Sequence, residues 1–249
     1  MSEQLILRCE DSMEGLFSAI YDAFEHREKM EKPHAGSISI VIGNNGETSA
    51  GEQIVTTDAG KVEKLVCSIQ GKLGFPVYDS ILRVLCHYDE ERASVAFRYL
   101  ARAFVKGSGI PRENDPQMLK VVEMSHRVEN ELKKAYSFLN FRKYKEILLA
   151  EIEPKCNLIP LMMDHFADRF YKEDFIIFDV NRKSMVLHEA FQPCTVFAGI
   201  DLPAVEEGDD YYQNLWDKCS RSAEMKGRNN KQSNNQNLPS WYRVYMQER

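Results

Sequence analysis

The spacing of apolar residues changes abruptly near Tyr136. Before it, Met118, Val121, Val122, Val128, Leu132 and Tyr136 recur at the steps of three and four that put side chains on one face of a helix. After it, the stretch SFLNFRKYKEILLAEIEP alternates. One segment cannot satisfy both periods, so a helix starting at Asp115-Pro116 must stop near Tyr136 and a β-ribbon must follow. The ribbon reads as two strands folded together near Lys145-Glu146. Phe138, Asn140, Arg142 and Tyr144 share a face of the first strand, and Ile147, Leu149, Glu151 and Glu153 share a face of the second. Asn157 can then cap a helix over LIPLMMDHFADRFY, and FIIFD with SMVLHE forms a second hairpin turning at Val180–Lys183.

Upstream, LILRC reads as a short strand and Met13, Leu16, Phe17, Ile20 and Phe24 as a helix face. SISIVI is a strand, Thr57-Asp58 caps the next helix, and two or three packed helices follow to Lys106 with a break at Gly74–Pro76. The expected fold is α+β: a helical N-terminal half packed on a mostly antiparallel sheet built from two C-terminal hairpins around a central helix. Residues 1–205 are expected to form one domain, helical over about 59–136 and sheet-containing over about 137–190, with 206–249 as a basic extension.

Composition narrows the function classes. With 43% hydrophobic and 28% charged residues, a chain of 249 residues can bury a sizeable core. No stretch approaches the ~18 consecutive apolar residues that span a bilayer, and the acidic N-terminus is unlike a secretory signal, so a cytoplasmic protein without a membrane partner is expected. The six cysteines are never closer than nineteen positions, which offers no C-x-x-C pair; neither a metal nor a cofactor is expected. The net charge of −6 hides an asymmetry, because the residues from Lys218 onward carry seven basic side chains against two acidic ones. A basic end on an acidic body suits an anionic partner.

The candidate chemistry lies between Arg127 and Arg182. On the helix after Asn157, His165 and Arg169 continue the row Leu158, Leu161 and Met162, so both are expected to extend an apolar stripe and to need an acidic or phosphate partner. Arg127 and Glu131 stand four residues apart on the preceding helix, while Arg142, Glu151 and Glu153 lie on the ribbon and Asp179 and Arg182 flank the second turn. Guanidinium forks suit phosphate oxygens, and a histidine or carboxylate can move a proton. Glu131, Glu153 and His165 are therefore the catalytic candidates, Arg127, Arg142, Arg169 and Arg182 the phosphate-binding ones, and Asp179 an orienting acid. Arg228, Asn230 and Trp241 add donors and an aromatic face suited to nucleic acid, whereas Trp216 reads as docking the extension onto the domain. No P-loop, dinucleotide fingerprint, H-E-x-x-H, nucleophile elbow or deaminase signature is present.

Several stretches carry a resemblance: TDAGKVEKLVCSIQGKL at 57–73, RVENEL at 127–132, FLNFRKYKEILLAEIEP at 138–154, MDHFADRF at 163–170, FIIFDVNRK at 175–183 and the ending LPSWYR. Over most of its length the chain resembles a bacterial family of unknown molecular function whose members are described as DNA metabolism proteins. Ser137 stands where that family tends to have glycine, and the loop Pro33–Ser49 is individual. The resemblance implies a role beside a radical S-adenosylmethionine enzyme of DNA repair, and kinship with the partner half of uracil-DNA glycosylase-like fusions. It makes DNA and that enzyme the expected partners. Three functions are compatible: a repair-associated protein binding nucleic acid or a modified nucleotide in an Arg/Glu/His cleft, a hydrolase or glycosylase-like enzyme acting on damaged DNA, and an interaction partner of the radical enzyme.

Overall fold

The computed structural model describes residues 5–29, 37–43, 51–106 and 116–200, together with Trp216 and Cys219. Two compact units divide within one long helix, after Val128. The class is α+β, as the two sequence periods require.

In the first unit a parallel three-stranded sheet is centred on β1 (Leu5–Cys9), with β2 (Ile38–Ile42) on one side and β3 (Glu52–Ile54) on the other. The helices α1 (Met13–Lys29), α2 (Ala59–Leu73), α3 (Phe75–Cys86) and α4 (Arg92–Lys106) supply most of its apolar surface. Leu7, Phe17, Ile20, Val62, Ile69, Tyr78 and Phe97 are fully withdrawn from water, and this burial is the main stabilising term. Asp58 caps α2 by accepting the Lys61 amide at 3.0 Å, as its position before the helical run predicts. At the break between α2 and α3, Gly74 takes φ +86, which a side chain would resist, and Pro76 sits in the first turn of α3. The parallel pairing of β1 with two strands from one excursion is not expected from local pattern.

The helix α5 (Pro116–Phe138) runs two residues beyond Tyr136. Its buried residues are Val121, Met124, Ser125 and Val128, so Met124 belongs to the stripe and Val122 stands at its margin. Ser137 stays helical, its hydroxyl donating to the Lys133 carbonyl at 2.9 Å. Phe138, expected on a strand, is instead the last helical residue. Asp115, expected to cap this helix, lies outside the described residues.

The second unit contains a five-stranded sheet ordered β4 (Arg142–Tyr144), β5 (Ile147–Ile152), β6 (Asp174–Asp179), β7 (Ser184–His188) and β8 (Thr195–Ala198). Both expected hairpins are present, β4 with β5 and β6 with β7. They join by a parallel pairing of β5 with β6, so the sheet is mixed. The crossover is α6 (Ile159–Arg169), which ends before Tyr171 and has Leu158, not Asn157, at its N-cap. One face of the sheet gathers Ile147, Leu149, Ile176, Phe178, Met185 and Leu187 with Trp216 and Cys219, in line with a docking role for Trp216. Phe141 meets Phe166, Phe170 and Phe175 edge to face, with centroids 4.8–5.9 Å away.

The orientation of α6 corrects the expected one. Ile159, Met162, Met163 and Phe166 are its buried residues, whereas His165 and Arg169 are exposed. Two adjacent rows share the interior, Leu158 and Met162 of one and Ile159, Met163 and Phe166 of the other, and burial stops short of the two cations that would have to be desolvated.

His188 on β7 is a titratable group that the sheet encloses completely. Its ring stacks on Phe175 at 4.6 Å, Nδ1 meets the Glu173 carbonyl at 3.0 Å, and Nε2 has no partner among the described residues. Burial holds its pKa below the ordinary 6.5, against the opposing influence of the Glu173 carbonyl and the Asp174 charge. The unfolded chain therefore takes up the proton first, and stability falls as pH drops below about 6.5, by up to about 1.4 kcal/mol per pH unit until the folded form also protonates. His87 in the first unit is likewise held low by burial and adds to the same trend. Urea unfolding at pH 7.5 and 5.5 should show a smaller loss for His188→Phe than for the wild type, even though the variant starts lower for lack of the Glu173 bond. An unchanged loss would exclude His188 as a source of the acid sensitivity.

Candidate functional site

A cleft of about 680 Å³ opens in the second unit where the end of α5 meets the β4–β5 hairpin and the loop after β5. Glu131, Lys134 and Phe138 come from the helix, Asn140 from the link, Arg142 and Tyr144 from β4, and Glu151 and Glu153 from β5 and its loop. The hairpin register accounts for the grouping on the ribbon. Tyr144 pairs with Ile147 and Arg142 with Leu149, leaving only Lys145 and Glu146 for the turn. Lys145 adopts φ +50 there, the left-handed geometry that a tight two-residue turn requires. Directly paired residues share a face and successive ones alternate, so Arg142, Leu149 and Glu151 point to one side.

The loop that closes the cleft is held by side chains. The Glu131 carboxylate accepts the amides of Lys155 and Cys156 at 2.8 and 2.9 Å. From the other side Arg182 donates to the carbonyls of Pro154, at 3.1 Å, and Lys155. Asn181 also donates to the Pro154 carbonyl at 3.1 Å, and the Val180 amide reaches the Ile152 carbonyl at 3.0 Å. Asp179, wholly buried, orients Arg182: its oxygens accept the Arg182 backbone amide and Nη1, each at 3.1 Å. The hydration that Asp179 loses to burial is thus matched by a guanidinium and a backbone donor. Burial pushes the Glu131 carboxyl up, but the Cys156 thiol, the two amides and the Arg182 charge together outweigh it and hold the pKa below the ordinary carboxylate range.

The candidates expected to converge do so only in part. Glu131, Arg142, Glu151 and Glu153 line one cleft, and Asp179 and Arg182 fasten its loop. His165 stands elsewhere, its ring tilted against Tyr136 with centroids 4.1 Å apart, while Arg169 lies 5.4 Å from the Phe170 ring; neither lines the cleft. Arg127 belongs to the first unit, where it donates to Glu123 and to the Tyr88 hydroxyl at 2.8 and 2.9 Å. Arg127 pairs with Glu123, one turn earlier, and not with Glu131, whose carboxylate is taken up by backbone amides. Arg228, Asn230 and Trp241 lie outside the described residues.

Sequence reasoning misses Lys134 and Phe138 as site residues, although both stand on the last turns of α5, three and seven residues after Glu131. That helical spacing is the available signal. Phe138 is 76% exposed, an arrangement that costs solvation and buries little. The cleft combines this ring with a guanidinium, an ammonium and exposed carboxylates, which suits a planar ligand bearing both an anionic group and hydrogen-bond donors. Among the described residues no group of three or more His, Cys, Asp or Glu is placed to hold a metal ion, and no helix is long and apolar enough to cross a membrane.

A family model described as DUF4130, a domain of unknown function, matches residues 90–248, and the chain belongs to that family. No curated protein matches it.

The loop attachment can be tested apart from any ligand. Glu131→Ala leaves two amides without their acceptor and should cost roughly 1–3 kcal/mol in urea unfolding, with Glu131→Gln intermediate. Equal stability of Glu131→Ala and wild type would mean that the loop is held without it.

Proposed function

We propose that this DUF4130 member binds a nucleotide unit of single-stranded or locally opened DNA in the cleft beside β4, in a role in DNA metabolism or repair. The exposed Phe138 ring among cations and carboxylates is the observation that carries the reading. Phe138 offers a face on which a base of any sequence can stack. Arg142 and Lys134 supply donors for a phosphate, Arg142 as a planar fork and Lys134 as a point charge. Glu151 and Glu153 can accept hydrogen bonds from exocyclic amino groups of a base. The basic residues after Lys218, Arg228 among them, add a sequence-independent attraction to the phosphate chain. The family resemblance to DNA metabolism proteins points in the same direction.

Binding is favoured over hydrolysis on one geometric ground. Both Glu131 oxygens accept loop amides, and His165 does not line the cleft, so neither is placed to activate water there. Glu153 is the cleft carboxylate that the catalytic candidates leave for such a role.

Fluorescence anisotropy of a labelled single-stranded oligonucleotide with the full chain tests the proposal. Phe138→Ala should weaken binding by about five- to 150-fold with little change in salt dependence, the loss expected for one stacked base. Arg142→Ala should weaken it and also flatten the dependence on salt, as removal of a phosphate contact does. Absence of binding at low salt, or affinity untouched by either substitution, would overturn the proposal.

A further inference from the structure

The first unit contains a second cavity, of about 450 Å³, which lies among α1, α2 and α4. Its size falls within the ~300–1,000 Å³ of small-molecule sites. Phe24 and Phe104 meet edge to face at 5.5 Å, and with Leu65 they give it an apolar wall. Two cations share the lining. Among the described residues Arg27 makes one hydrogen bond, from Nη1 to the Ala101 carbonyl at 3.3 Å, and its Nε is sealed from solvent with no acceptor. The Lys72 ammonium lies 5.8 Å over the Phe104 ring. Neither cation has a carboxylate partner among the described residues, and Glu28 is the one acid in the lining.

A buried donor left without an acceptor is costly, and few such groups persist in native proteins unless an ion, water or ligand meets them. Here the unmatched donor belongs to a guanidinium beside aromatic rings. Arg27 and Lys72 line the cavity beside these rings, so a ligand that joins an anionic group to an apolar surface matches both features. Two cations against one carboxylate leave a single positive charge to be met.

We propose that this cavity binds a small amphipathic monoanion, whose planar apolar body packs on Phe24 and Phe104 and whose single oxyanion group, a carboxylate or sulfonate, is met by Arg27 and Lys72. Bare inorganic anions gain nothing from the aromatic wall. Neutral aromatics leave Arg27 and Lys72 without a counter-charge. The site is independent of the cleft beside β4 and stands whether or not that cleft takes a nucleotide.

The full chain is titrated with two fluorescent probes that share their rings, 8-anilinonaphthalene-1-sulfonate, which is anionic, and N-phenyl-1-naphthylamine, which is neutral. The sulfonate should bind saturably, one per chain, and millimolar inorganic phosphate should not displace it. Arg27→Met and Lys72→Met should each weaken the sulfonate by about tenfold, the value of one charge-assisted contact, and leave the neutral probe within about twofold. Phe104→Ala should weaken both probes, and Arg142→Ala neither. Lys72 is an exposed helix residue, so its variant keeps the fold even if the Arg27 variant does not, and near-ultraviolet circular dichroism checks each. Unsaturable binding, sulfonate affinity unchanged in Lys72→Met, equal losses for both probes in the cation variants, or loss with Arg142→Ala in place of Lys72→Met would overturn the proposal.

Discussion

The geometry of the cleft depends on how one short stretch of backbone is satisfied. After β5 the chain leaves the sheet and must turn into α6, and the amides of Lys155 and Cys156 and the carbonyls of Pro154 and Lys155 have no strand to pair with. Glu131 takes the amides, and Arg182 with Asn181 takes the carbonyls. Donors and acceptors at one turn are thus met by side chains of opposite charge from two different elements. The arrangement fixes where Glu153 stands relative to β4 and ties the wall of the cleft to both α5 and the β6–β7 turn. Asp179 completes it by holding Arg182 from a position with no solvent contact.

This explains why residues that look chemical in the sequence divide into two kinds. Glu131, Asp179 and Arg182 direct their hydrogen-bonding capacity at backbone and at each other. Arg142, Lys134 and Phe138 project from the elements thereby positioned. A carboxylate accepting two backbone amides is already stabilised as an anion, which makes it a poor proton acceptor for a substrate and a good anchor. The polar residues gathered between Arg127 and Arg182 therefore reflect an anchored loop as much as a ligand site.

The change of period at Tyr136 is legible because helix and strand differ in a quantity the sequence displays directly, and both hairpins follow from alternation around short polar turns. What pattern cannot supply is the pairing of β5 with β6. Hairpin signals specify neighbours in sequence, whereas a parallel pair is set by the α6 crossover and the burial it achieves. The face of α6 is ambiguous for a related reason: the rows of Leu158 and Met162 and of Ile159, Met163 and Phe166 lie side by side and both are buried, and the buried face turns away from His165 and Arg169, which cost less in water. Alternation alone draws Phe138 into the ribbon because helix ends carry weaker signals than helix middles, and with it goes the aromatic member of the cleft.

The position of the histidines bears on what the cleft can do near neutral pH. His165 packs against Tyr136 outside it, and His188 lies within the sheet with its pKa lowered by burial. The cleft is lined instead by Glu131, Lys134, Arg142, Glu151 and Glu153, with no histidine in its lining. Two cations, acids and an exposed ring without an imidazole among them suit the holding of a ligand better than the transfer of its protons, in line with the binding role proposed from Phe138 and its charged neighbours.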